Sequence, residues 1–196
     1  MANPTTGFGF VPVDNLGAGG AFTGRVREYY VGTGDSTALF VGDPVIIAGD
    51  FHTDGTPIVT RATVGTGVTT DYITGAVVGF RFINEAMPAN KHRAASTAAY
   101  VLVADDPNTL FKVRGDGAYA TTDHGSTCQI VSGTGSTYTG ESGFMLDSSE
   151  IAQTATDQLI IEDVYRAPDN ELSGSNVIYL VRFNMHTGRL GSAGVD

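Results

Sequence analysis

TALFVGDPVIIAGDFHTDGTPIVTRATV, residues 37–64, decides the fold class. Runs rich in Val, Ile and Thr fit a pleated, half-buried surface better than a helix. Gly42-Asp43-Pro44 interrupts the first run. Proline cannot donate to a central ladder, so this tripeptide predicts a turn or bulge. Asp54-Gly55 supplies the residue pair that a tight hairpin favours, and PIVTRATV at 57–64 returns as its second strand.

The same pattern extends in both directions. RVREYYV at 25–31 alternates, and YITGAVVGFRFI at 72–83 is the longest apolar strand region. Residues 84–98, NEAMPANKHRAASTA, break the pattern and hold the basic cluster Lys91-His92-Arg93. Strands resume with AYVLVAD at 99–105, TLFKV at 109–113, TCQIV at 127–131, QLIIEDVY at 158–165 and NVIYLVRF at 176–183. Asp147-Ser148-Ser149-Glu150 has capping-box form and predicts one helical turn. Many short strands separated by glycine-rich turns predict an all-β protein, a compact β-barrel or β-sandwich. The expected organisation is an N-terminal arm at 1–24, a first β lobe at 25–90, a basic loop at 91–98, a second β lobe at 99–186 and a tail at 187–196. The two lobes are expected to form one compact unit.

Composition agrees. Glycine occurs 26 times and tryptophan not at all, and charged residues make up only 16% against the usual quarter. A neutral polar surface of Thr, Ser, Asn and Gly can be buried on a partner with little charge desolvation. The net charge is −10, and two lysines and nine arginines lie scattered along the chain. Counterion release by clustered cations supplies most nucleic-acid affinity, so direct binding of nucleic acid or anionic membrane is not expected. No run reaches the roughly 18 apolar residues of a membrane span. The N-terminus lacks the basic and apolar regions of a signal peptide, so synthesis in the cytoplasm is expected. The single cysteine, Cys128, permits no intrachain disulfide and reads as a small buried residue in a strand.

Residues 1–24, MANPTTGFGFVPVDNLGAGGAFTG, mix Gly and Pro with isolated apolar side chains. They read as a disordered terminus, an ordinary first strand, or an extended arm that orders on a neighbour. On the arm reading, Phe8, Phe10, Val11 and Val13 are the anchors, each buried ring contributing about 1.5–3 kcal/mol before ordering costs.

The search for chemistry yields little. His52, His92, His124 and His186 are far apart, so a metal site is not expected. The turn Asp105-Asp106-Pro107-Asn108 reads as a solvated β-turn before it reads as a weak Ca²⁺ site. No G-x-S-x-G elbow or Walker loop occurs. The adjacent pair Asp123-His124 reads as part of a polar turn before Gly125. A glycosidase needs two placed acids, for which Asp105, Asp106, Asp116 and Glu162 are the candidates. Without tryptophan, glycan platforms would fall to Tyr29, Tyr30, Tyr72 and Tyr138, which fit a core edge better. No catalysis and no cofactor are expected.

The segments ANPTTGFGFVPV, LFVGDPV, YVLVADDPNTLFKVRGDG at 100–117, LDSS at 146–149 and RAPDNELSG at 166–174 resemble capsid decoration (cement) proteins of tailed bacteriophages. The resemblance implies a β-rich protein on the outer surface of the virion head that bridges copies of the major capsid protein. It also implies a homo-oligomer, a trimer in preference to a dimer. The competing expectation is a fibre- or tail-associated module that binds a receptor or glycan.

Overall fold

A computed structural model describes residues 2–17, 20–65, 71–83 and 91–189. The protein is all-β, as the sequence predicts, and the described residues form thirteen strands and one 3-10 turn. In chain order the strands are β1 (Val11–Asn15), β2 (Gly20–Ala21), β3 (Arg27–Val31), β4 (Pro44–Phe51), β5 (Pro57–Arg61), β6 (Gly75–Phe82) and β7 (Ala99–Ala104). There follow β8 (Thr109–Arg114), β9 (Thr127–Cys128), β10 (Ile130–Val131), β11 (Met145–Leu146), β12 (Leu159–Val164) and β13 (Ile178–Phe183).

Strands β3 to β7 close into a barrel in the order β3-β5-β4-β6-β7. All its pairings are antiparallel except β3 with β5, which run parallel at Tyr30 and Ile58. Alternation puts Tyr29, Val31, Val59, Val101 and Val103 inside, each buried in the barrel core. The predicted turns hold. Gly42 sits at φ 94°, a region that costs a residue with a Cβ, and its N–H donates to the Val77 carbonyl at 2.7 Å. Pro44 then opens β4, where its missing N–H breaks little of the ladder. Gly55, at φ 86°, closes the β4–β5 hairpin, and its N–H donates to the His52 carbonyl at 2.9 Å.

Most of the rest forms a six-stranded sheet, β2-β1-β8-β13-β12-β9, beside the two-stranded β10-β11. Phe111, Val113, Tyr179, Val181, Phe183, Leu159 and Ile161 line its inner face. They pack with Ile130, Phe144 and Leu146, and with Ala62, Ile73, Ala76 and Ala104 from the barrel, in one continuous core. Cys128 is part of that core with no exposed surface. Asp147 caps the 3-10 turn Ser148–Glu150 through the Ser149 N–H.

Two boundaries move. β7 belongs to the barrel, pairing with both β3 and β6, so the lobes divide between Ala104 and Thr109 instead of at residues 91–98. The N-terminal region is not wholly an arm either. β1 pairs antiparallel with β8 from Val11↔Lys112 to Asn15↔Thr109, so the chain's own sheet takes up these residues as an ordinary first strand. The sequence alternation of an apolar strand is the same whichever chain it pairs with.

Arg93, read as one of a basic cluster, is 0% exposed. Its guanidinium donates to the carbonyls of Gly32, Asp35, Thr37 and Thr97, tying the loop after β3 to the segment before β7. A buried cation is tolerable only with such a set of acceptors. Of the expected loop 91–98 and tail 187–196, residues 91–98 and 187–189 are described.

Candidate interaction surface

The proposed anchor residues separate into different environments. Phe10 is 1% exposed, its ring 5.0 Å from that of Phe183 and 6.3 Å from that of Phe111. It belongs to the chain's own core and is not available to a neighbour in this fold. Val11 and Val13 are half-buried in β1. Phe8 is half-buried, with the Arg114 and Lys112 cations 5.4 and 5.9 Å from its ring centre.

The residues before Phe8 are strapped down by a polar clasp that the sequence does not signal. Asn3, 8% exposed, donates to the carbonyls of Glu171 and Ser175 and accepts the Glu171 N–H, each at 2.9 Å. Arg114 donates to the Pro4 carbonyl. Gly9 then lets the backbone pass against Gly42, a passage closed by the Phe10 N–H to the Gly42 carbonyl at 2.9 Å.

Each of the candidate acids is engaged in a structural contact. Asp105 accepts from the Tyr29 hydroxyl at 2.9 Å and faces Arg27 at 3.2 Å. Burial and that carboxylate push the Tyr29 hydroxyl up to about 12. Asp106 pairs with Arg25 at 3.4 Å, Asp116 accepts the Ser148 N–H at 2.8 Å, and Glu162 pairs with Arg182. Arg25 and Arg27 beside the Asp105-Asp106 turn oppose a bound cation there. Asp123 turns inward to accept from the Ala120 N–H and the Tyr179 hydroxyl, while His124 is exposed on the other side. Among the described residues no group of three or more His, Cys, Asp and Glu side chains is placed to hold a metal ion. No helix among them is long and apolar enough to cross a membrane.

One acid stands apart. Asp43 is 1% exposed, and burial raises its carboxyl from 3.8 to about 6 against the opposing pull of Ser142, the Phe40 N–H and Arg61. It sits inside the β-turn before β4, so it belongs to the scaffold.

The outer face of the barrel carries a denser cluster. Tyr30 of β3 and Tyr100 of β7 are cross-strand partners. The tip of the β4–β5 hairpin folds over them: the His52 ring stacks on Tyr30 at 3.9 Å between centres, and the Tyr100 hydroxyl donates to Asp54. Hydrogen bonding from Tyr100 and Thr56 holds the Asp54 carboxyl well below its ordinary value. Arg81 covers the Tyr100 ring at 4.0 Å and pairs with Glu28 through two bonds of 2.7 and 2.8 Å. Within the tip, the His52 N–H donates to the Thr56 carbonyl at 2.8 Å, and the Thr56 N–H to Asp54 at 2.9 Å. The hairpin end is therefore fixed in place.

That fixed hairpin presents apolar surface. Residues 47–51 are all exposed, with Ile47 at 46% and Phe51 at 72%. Of the four tyrosines read as glycan platforms, Tyr29 is buried and Tyr30 is covered by His52, whereas Tyr72 and Tyr138 are 44% and 85% exposed. Sequence reasoning missed Phe51 because a lone aromatic beside a hairpin turn carries no periodic signal of its exposure.

Comparison with protein-family models, with curated proteins and with solved structures finds no match in any of the three.

Proposed function

We propose that this chain is a capsid decoration protein, which binds the outer surface of a tailed-phage head, bridges major capsid subunits and acts without catalysis or cofactor. The observation that carries the reading is spatial. The stretches that resemble decoration proteins lie as far apart in sequence as residues 2–13 and 166–174, yet they meet in the fold. Asn3 of the first clasps Glu171 of the last. Phe10 bonds Gly42 of LFVGDPV, Val11 pairs with Lys112 of the central stretch, and Gly115 bridges Leu146 of LDSS. Contact among these segments supports reading the likeness as one of framework.

Physical chemistry supports the role. A protein that grips several subunits at once gains from many modest contacts acting at high effective concentration. The barrel has its own core, and Ala62, Ile73, Ala76 and Ala104 join it to the core of the sheet. Oligomerisation, with a trimer favoured, belongs to the same proposal. The test is co-sedimentation of the purified chain with expanded heads lacking it. Saturable binding supports the reading. No binding, with capture on a glycan array instead, would replace it with the receptor-binding alternative.

A further inference from the structure

We infer that the β4–β5 hairpin is the docking element of this chain, with Phe51 as its central anchor, and that its partner is a shell-protein face offering an apolar socket rimmed by basic side chains. The inference rests on the decoration reading and names the surface that performs it. Phe51 is 72% exposed beside a tip whose conformation is set from outside the hairpin by Tyr30 and Tyr100. A knob held in advance loses little conformational freedom on docking, which is where preorganisation adds affinity. Aromatic anchors of this kind dominate interface energetics once a pocket excludes water from them.

Charge selects the occupant. The hairpin carries Asp50 and Asp54 toward its tip against a single basic residue, Arg61, at the far end of β5, in a chain of net charge −10. A second copy of this chain would bring more negative charge to the hairpin, so a homotypic contact is disfavoured, and a socket rimmed by Lys and Arg is the complementary surface. The other strongly exposed aromatic among the described residues, Tyr138 at 85%, has the opposite setting, with the Lys91 ammonium 5.3 Å from its ring. One basic-rimmed socket cannot suit both knobs.

The experiment compares wild type, Phe51→Ser, Asp50→Lys and Tyr138→Ser for binding to expanded heads lacking this chain, with thermal melts to confirm that each variant is folded. Phe51→Ser is expected to weaken binding by at least about 30-fold, as removal of an aromatic hot spot does. Asp50→Lys should weaken it by about 3- to 10-fold, with the loss shrinking as salt is raised. Tyr138→Ser should bind as wild type does. If wild type binds and Phe51→Ser binds equally well, the hairpin assignment fails while the decoration reading survives. If wild type itself does not bind, the decoration reading fails first. Loss of self-association with shell binding intact in Phe51→Ser would make a second copy the occupant and overturn the inference.

Discussion

Asp43→Asn removes a charge from the interior while keeping an acceptor oxygen for the Phe40 N–H, which donates to Asp43 at 2.9 Å. The wild-type carboxyl lies at about 6 in the folded protein against an ordinary 3.8. Between those values the folded protein holds a proton that the unfolded chain has released. Stability therefore falls as pH rises through that window and levels off above it. The full displacement corresponds to about 3 kcal/mol, most of it, about 2 kcal/mol, lost between about pH 4 and about pH 7.5. Asparagine does not titrate, so its stability lacks this component. Urea melts of both proteins at the two pH values give a double difference in which titrations common to both cancel. The variant should gain about 2 kcal/mol on wild type between the acidic and the neutral measurement. A wild-type-to-variant difference that is the same at both pH values would refute the argument that Asp43 is buried in a raised, protonatable state.

Phe10→Ala is expected to destabilise the isolated chain by about 3–5 kcal/mol in urea melts, and unchanged stability would mean that the ring lies outside the chain's own core. Arg93→Met leaves four carbonyls without their donor and should cost at least about 3 kcal/mol. Arg93→Lys should not restore it, because one ammonium cannot reproduce the guanidinium fork; a lysine variant of wild-type stability would contradict the reading. The Cys128 thiol, held well above its ordinary value by burial, should react with a thiol reagent only as fast as the protein unfolds, and immediate labelling in native buffer would show the site to be open.

Local chemistry made much of the fold legible. Gly42-Asp43-Pro44, Asp54-Gly55 and Asp147 each encode a turn or cap within a few residues, and each occurs where the sequence places it. Strand positions follow from alternation, although TCQIV divides into β9 and β10 around Gln129. Pairing is what alternation does not encode. β7 reads as the start of a second block because a patternless stretch precedes it, yet its partner β3 lies about seventy residues earlier. Phe10 would show the same apolar pattern whether it filled its own core or a neighbour's. Arg93 reads only as one of a basic cluster with Lys91 and His92, because four backbone acceptors drawn from two separated loops leave no mark in the local sequence. The hairpin lock is hidden for the same reason: Tyr30, His52 and Tyr100 become neighbours only when the barrel closes.

The most direct test of the central claim is calorimetric disruption of expanded heads lacking this chain, measured bare and after saturation with the purified protein. A decoration protein that bridges shell subunits binds the intact shell in preference to its separated parts, so the decorated heads should come apart at a higher temperature, by an amount that grows with occupancy. Heads that disrupt at the same temperature at every concentration of added protein would contradict the account.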